Sequence, residues 1–326
     1  MDYQEQNGEQ SEILTRYTNE IIKSFKTCEI LKNHELAINS IDFSPDGLTI
    51  LTSSEDNTIS IFDVDQKKIS RSLVNKTYGC NKAIFTHNSK AILCAGKNDY
   101  RIMYWCLHSN EILFSFLGHS DIITDLSMNP NSDLFLSTSS DRTSRLWDLS
   151  ERKCVCIFQD SQCAAFDNNG NVIASVTSSI NKANDTYENF INLYSIAENV
   201  EGIQKGPFDV FGVHTKNEIK QIKFSYDGNV IVCLTESELC IIDAFTGKSN
   251  GSVDLSEDVN RFDISPDSKY IALSCESGNI NMYDIKGKFV VCLEFHTNSC
   301  GCIKFCKDYA MLASACSNLV LWIPSI

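Results

Sequence analysis

The residue types best suited to catalysis gather in one part of the chain. His119 lies upstream of the stretch "STSSDRTSRLWD", residues 137–148, which carries Ser139, Asp141 and Trp147. Serine, histidine and aspartate are the components of a nucleophilic hydrolase: a hydroxyl that attacks, an imidazole that takes its proton and a carboxylate that orients the ring. A hydrolase of the α/β type would set the serine in a Gly-x-Ser-x-Gly elbow, and Ser139 has no such flanks. A second cluster, "CGCIKFC", places Cys300, Cys302 and Cys306 close behind His296, side chains that ligate zinc. Cysteines at i, i+2 and i+6 also share one face of an extended strand. There they pack as small hydrophobes. No Cys-x-x-Cys pair accompanies them. Core packing is therefore the expectation for these thiols and for Cys154 and Cys156. "KGPF", residues 205–208, lacks the glycines and lysine of a phosphate loop, and Lys216, Lys220 and Lys223 read as a solvated strand face. Neither an enzyme nor a cofactor or metal site is expected.

Composition sets wider limits. The 326 residues are 43% hydrophobic and 21% charged, with a net charge of −14, values of a folded chain. That charge argues against sequence-independent capture of nucleic acid, which needs a Lys/Arg surface. The opening "MDYQEQNGEQSE" is polar and acidic, without the apolar stretch of an export signal. No run approaches 18 apolar residues, so no membrane span is expected. The 15 cysteines, an odd number, read as reduced thiols of cytosol or nucleus.

The elements that must hold these residues repeat along the chain. A turn with Asp or Asn recurs at Asp46, Asn88, Asn131, Asn169, Asp227, Asp267 and Asp308. A large apolar residue closes an alternating run at Phe62, Trp105, Trp147, Tyr194, Ile242, Tyr283 and Trp322. Successive landmarks of the second kind stand 39 to 48 residues apart, the period of a four-stranded propeller blade. The runs between them are short, β-rich and partly alternating. The reading is all-β: seven blades of about four strands each. The fourth repeat is long, with a polar insertion at residues 181–189 and a second excess near "ENVEGIQKGPFDVF". The last repeat runs out after its third strand at Trp322, and one unassigned strand-like segment, Ile21 to Leu31, precedes the first. That segment is expected to close the ring as the missing fourth strand, since a closed array has no bare edge. Residues 1–19 read as a disordered acidic tail ahead of a single domain, 20–326.

"LGHS" at the start of the third repeat and "LWD" at its end resemble the WD-repeat family. In that family His, Ser or Thr, Asp and Trp form a buried hydrogen-bond relay, which the resemblance assigns to His119, Ser139, Asp141 and Trp147. An acid stands six residues before the landmark at Asp56, Asp99, Asp141, Glu188 and Glu236, with Ser277 and Cys316 in the last two repeats. The resemblance also implies one loop face for partner docking, on which Glu55, Asn57, Asp99, Tyr100, Arg101, Ser140, Arg142, Glu236 and Glu238 would lie. "ASACSNLVLWIPSI", residues 313–326, with "KGPF", "IDAFTG" and "IDFSPDG", is similar to one group within the family. This group is the propeller subunit shared by COMPASS-type histone H3 lysine-4 methyltransferase and RNA polymerase II termination/phosphatase complexes. The resemblance implies a non-catalytic nuclear scaffold that binds methyltransferase-complex subunits, the phosphorylated polymerase tail and the termination/phosphatase machinery. It implies no sequence-specific nucleic acid and no membrane. Arg101 and Arg142 are the expected phosphate contacts, because guanidinium forks match phosphate. Two other propeller functions fit the sequence less well. A phosphoinositide binder would carry an Arg-Arg motif, and none occurs; a ubiquitin-ligase substrate receptor often shows Trp-Asp-x-Arg, where this chain has Leu149 and Ser150 after the pair.

Overall fold

A computed structural model describes residues 17–32, 34–181, 186–199 and 205–325. Among them, 28 strands form seven antiparallel sheets of four. The innermost strands are β2 (Ile38–Phe43), β6 (Lys82–Phe85), β10 (Ile123–Met128), β14 (Cys163–Phe166), β18 (Gln221–Phe224), β22 (Val259–Ile264) and β26 (Cys302–Phe305). Each touches the next, and β26 touches β2, so the ring is closed around an axis. The architecture is the seven-bladed propeller that the repeat period predicts.

The core is divided rather than central. Seven hydrophobic clusters occupy the seams between successive blades. At the first seam, Leu51, Ile59 and Ile61 of one blade meet Ala83, Phe85 and Trp105 of the next. A single four-stranded sheet has two faces to cover, and only a neighbour on each side covers both. This is why the hydrophobic runs of the middle strands, such as "TILTSS" and "LFLSTS", are buried on both faces rather than alternating.

The seventh blade is completed by β1 (Phe25–Lys32), paired antiparallel with β28 (Asn318–Pro324) from Phe25↔Pro324 to Lys32↔Asn318. A register shift opposite the apolar landmark marks the outer strand of six blades, and β1 carries it between Thr27 and Glu29. The N-terminal strand is therefore built like the outer strands of its neighbours. Two corrections follow. Ile21 and Ile22 belong to a short helix, α1 (Asn19–Lys23), rather than to the strand. Thr18 caps it by accepting from the Ile21 amide, with Glu20 in the first turn and Lys23 in the last, placements that favour a helix end over a strand. The start of the domain also moves. Tyr17 is 2% exposed, packs on Phe25 and Phe305 and donates to the Tyr309 carbonyl. Residues 17–19 thus belong to the disc, and the rest of the proposed tail, 1–16, lies outside the described residues.

The fourth repeat absorbs its insertion by lengthening a hairpin. β15 (Val172–Asn181) and β16 (Thr186–Ser195) stay in register through Asn181↔Thr186. The second excess begins in a turn of helix, Ile196–Asn199, and leads to the outer strand Asp209–Thr215; residues 200–204 lie outside the described residues.

Candidate functional site

The relay is present in the third blade, with one member changed. Trp147 Nε1 donates to Ser137 Oγ at 2.8 Å, Ser137 Oγ meets His119 Nε2 at 2.7 Å, and His119 Nδ1 meets Asp141 Oδ2 at 2.8 Å. Because the indole only donates, the pattern assigns donation from Ser137 to Nε2 and from Nδ1–H to the carboxylate. Ser139 is not the hydroxyl. Phe135 stands opposite Trp147 across the sheet. Ser137 is two residues from that point, whereas Ser139 is four residues and roughly 13 Å along the strand. Ser139 instead donates to the Asp121 carbonyl at 2.9 Å and accepts from the Asp141 amide at 3.1 Å, which fixes the turn.

Burial pushes His119 below the ordinary imidazole value, partly opposed by Asp141. For Asp141, burial works against ionisation but is outweighed by hydrogen bonds from Thr143, the Ser120 amide and His119, which bring it down to about 2. The pair is thus a neutral imidazole on a carboxylate. Asp141 is saturated by Thr143 and Ser120, and Ser137 is buried and spent on its two neighbours. The set joins strands to one another; its hydroxyl is not aimed at any substrate.

Two further relays escaped the sequence reading. In the first blade His34 bridges Thr52 and Thr58, each at 2.8 Å, with Asp56 at 3.4 Å; the landmark there is Phe62, which has no N–H to offer. In the seventh, Trp322 Nε1 donates to Ser314 Oγ at 2.8 Å, Ser314 meets His296 Nε2 at 2.7 Å, and His296 Nδ1 faces Cys316 Sγ at 3.2 Å. His296 is therefore bound into a relay. Cys300, Cys302 and Cys306 are buried in the flanking seams. A spacing of 18 residues separates histidine from hydroxyl in all three relays. That spacing was legible, and it selects Ser137 over Ser139.

Replacement of Ser137 by alanine should cost about 1–3 kcal/mol, because a buried indole N–H and an imidazole nitrogen lose their partner together. Ser139→Ala, although Ser139 is itself buried, loses contacts to the partly exposed Asp121 and Asp141 and should cost less. Denaturant midpoints of the two variants compare them, and the reverse order would return the relay to Ser139.

Acid should loosen the disc through the same groups. Burial lowers the affinity of both His34 and His119 for a proton, so the unfolded chain takes up more protons as pH falls. The stability they contribute is complete above the ordinary imidazole value, near 6.5, and is lost progressively below it. The Asp141 contribution persists to about pH 4 and disappears toward pH 2. Thermal melts between pH 8 and 5 should show the decline starting near 6.5; a flat profile would show that these imidazoles are not held neutral.

The loop residues named from sequence lie in turns joining second to third strands, in the first, second, third and fifth blades, except Glu238, which is the first residue of the third strand of the fifth blade, Glu238–Asp243. The common up-and-down order of the blades puts those turns on one face. Asn57, Tyr100 and Arg142 take left-handed backbone there, with φ of 66°, 57° and 62°. Several of the side chains are engaged. Glu55 is bonded to Lys97 and to Asn39, and Glu236 lies 3.2 Å from Lys220. Glu238 accepts from the Lys216 amide. Arg101 is bonded to Asp99 and lies over the Tyr78 ring at 4.0 Å, so its guanidinium is not a free phosphate fork. Arg142, 58% exposed and 4.0 Å from Glu218, is open. With Ser140, Glu218, Lys220, Asn260 and Arg261 it borders a cavity of ≈ 770 Å³ at one mouth of the axis. Lys216, Lys220 and Lys223 each face a carboxylate, of Asp254, Glu236 and Asp263, and do not act as a patch.

Deeper along the axis, sequence reasoning missed a charged arc. Equivalent inner-strand positions of the fifth, sixth, seventh and first blades hold Lys223, Asp263, Lys304 and Asp42. Lys223 lies 2.7 Å from Asp263, and Lys304 lies 3.6 Å from Asp42. Each aspartate also accepts a backbone amide of the following blade: Phe85 for Asp42 at 2.9 Å, Phe305 for Asp263 at 2.7 Å.

Comparison with known proteins accords with this geometry. The WD domain, G-beta repeat family matches residues 25–63 and 110–148. WD repeat-containing protein 82 of Drosophila melanogaster is 33% identical over 94% of this chain and 96% of its own length. COMPASS component SWD2 of Saccharomyces cerevisiae is 34% identical over 65% of this chain and 62% of its own. Set1 complex component swd2 of Schizosaccharomyces pombe is 29% identical over 82% and 77%.

Proposed function

We propose, since the chain belongs to the WD-repeat family of β-propellers, that it is a non-catalytic scaffold subunit of a Set1/COMPASS-type histone H3 lysine-4 methyltransferase complex. The observation that carries this reading is the nearly full-length similarity to fly WD repeat-containing protein 82, joined by two yeast relatives named as COMPASS and Set1 complex components. The geometry supports it. The Ser-His-Asp set is consumed within a blade, and a rigid closed disc holding turns on one face is suited to docking. The proposal extends to a nuclear location and to links with transcribing RNA polymerase II and the termination/phosphatase machinery. Arg142 is its phosphate contact on the polymerase tail.

Affinity purification from nuclear extract with mass spectrometry tests the scaffold role. A Set1-type methyltransferase among the recovered proteins supports it; ubiquitin-ligase subunits or lipid-transport factors in its place overturn it. Titration with phosphorylated and plain tail peptides tests the polymerase link. Equal affinities, or no loss on Arg142→Gln, would end that part.

A further inference from the structure

We propose that Cys316 is a modification site for peroxide-class oxidants, in which a cysteine–histidine dyad replaces the aspartate–histidine pair of the other relays. The comparison that carries this lies within the molecule. The three relays share the 18-residue histidine–hydroxyl spacing and the Nε2 contact, and two of them place a carboxylate, Asp56 or Asp141, near Nδ1. The seventh blade places a thiol there, 3.2 Å from Nδ1. A carboxylate in that position is chemically inert, whereas a thiol hydrogen-bonded to an imidazole can react as a thiolate nucleophile. Among the described cysteines, Cys316 is the one hydrogen-bonded to an imidazole.

The surroundings agree. Burial opposes ionisation of this thiol, yet the His296 hydrogen bond, with help from the Asn318 backbone and the Ser317 side chain, brings it down to about 7. Burial pushes Cys163, Cys240, Cys275 and Cys300 up instead. The titratable groups set against Cys316 are His296 and Cys300. Cys316 opens the turn between the second and third strands of its blade and keeps 6% of its surface exposed, which suits a small oxidant better than a bulky electrophile.

The step balances without further partners. The thiolate sulfur attacks one peroxide oxygen and the O–O bond breaks. The departing hydroxide takes the one proton held in the Sγ–Nδ1 hydrogen bond of the dyad and leaves as water. Sulfur is oxidised to a sulfenic acid and peroxide is reduced to water. The 3.2 Å contact to Nδ1 has no room for the added oxygen, so the two side chains must move apart, at the seam where the Cys316 carbonyl accepts the Ile38 amide at 2.7 Å. Oxidation thus acts where the ring closes.

The test exposes the full-length protein to hydrogen peroxide, then denatures it, traps sulfenic acid with dimedone and maps the modified peptide by mass spectrometry from pH 6 to 8.5. A thiol at about 7 is roughly a quarter ionised at pH 6.5, against about one in a hundred for a free thiol near 8.5. The weaker nucleophilicity of the more acidic sulfur reduces that advantage to about fivefold over an unstructured cysteine peptide in the same mixture. His296→Gln should abolish the advantage. Cys316→Asp, which recreates the pairing of the first and third blades, should fold, lose the signal and leave the other sites unchanged. Absence of modification at Cys316 while other thiols react, or a pH midpoint above 8, overturns the proposal; so does an unchanged rate in a folded His296→Gln variant. Should that variant fail to fold, the wild-type pH midpoint decides.

Discussion

Removal of residues 17–32 is expected to unfold the whole disc rather than shorten one blade. The segment places four side chains in the core, Tyr17 at 2%, Ile22 at 0%, Phe25 at 4% and Leu31 at 8% exposure. Burial of each is worth about 1.5–3 kcal/mol, so together they rival the roughly 5–15 kcal/mol that holds a domain folded. The loss also strips β28 of its outer partner and removes the Ser325–Ser24 contacts that fasten the two segments. A propeller has no hydrophobic centre to fall back on, because its core lies in the seams. Opening the seventh blade exposes seams on both its sides. The expected result is loss of the cooperative thermal transition, with partial recovery when a synthetic peptide of residues 17–32 is supplied in trans. A truncated protein that melts at the wild-type temperature would show that β1 is dispensable.

The features legible in the sequence were those that recur. Every blade must turn, bury two faces and end a strand against its neighbour, so Asp46 and Phe62 have counterparts all along the chain, and the blade count and strand class followed from their period. The closing strand was legible for a related reason: seven repeats left one strand over at the front and one missing at the back. Features without a repeat were harder to read. Five residues of α1 are too few to show helical periodicity. Ser137 and Ser139 point to the same face of a strand and differ only in how far each lies from Trp147. The relays of the first and seventh blades were obscured because each lacks one expected residue, with Phe62 in the place of the tryptophan in one and Cys316 in the place of the acid in the other. Lys304 and Asp42 come from opposite ends of the chain, and only ring closure brings them together.

That last contact yields the second large effect. Lys304 sits on the axis within reach of Asp42 and Asp263, and the two carboxylates push its affinity for a proton upward against the opposing effect of burial. Burial also pushes Asp42 above the usual carboxylate range, and Lys304 is the first force holding it back. Replacing Lys304 by methionine keeps the stem and removes the charge, which leaves the Asp42 carboxylate without its cation while it still caps the Phe85 amide. Breaking a buried pair from one side costs several kcal/mol. Here the side-chain exposures are 32% for Lys304 and 16% for Asp42, so solvent in the channel reduces the cost to about 2–3 kcal/mol. The sign can be checked with pH. The penalty arises from an ionised Asp42, so the gap between variant and wild type should be widest near neutrality and should narrow as acid protonates that carboxylate. Asp42→Asn should recover part of the loss in the Lys304→Met background, since an uncharged amide no longer needs the ammonium. Unfolding curves of the four proteins at pH 7 and pH 5 measure the coupling. Strictly additive losses at both pH values would mean that the pair across the closing seam contributes nothing beyond its separate members.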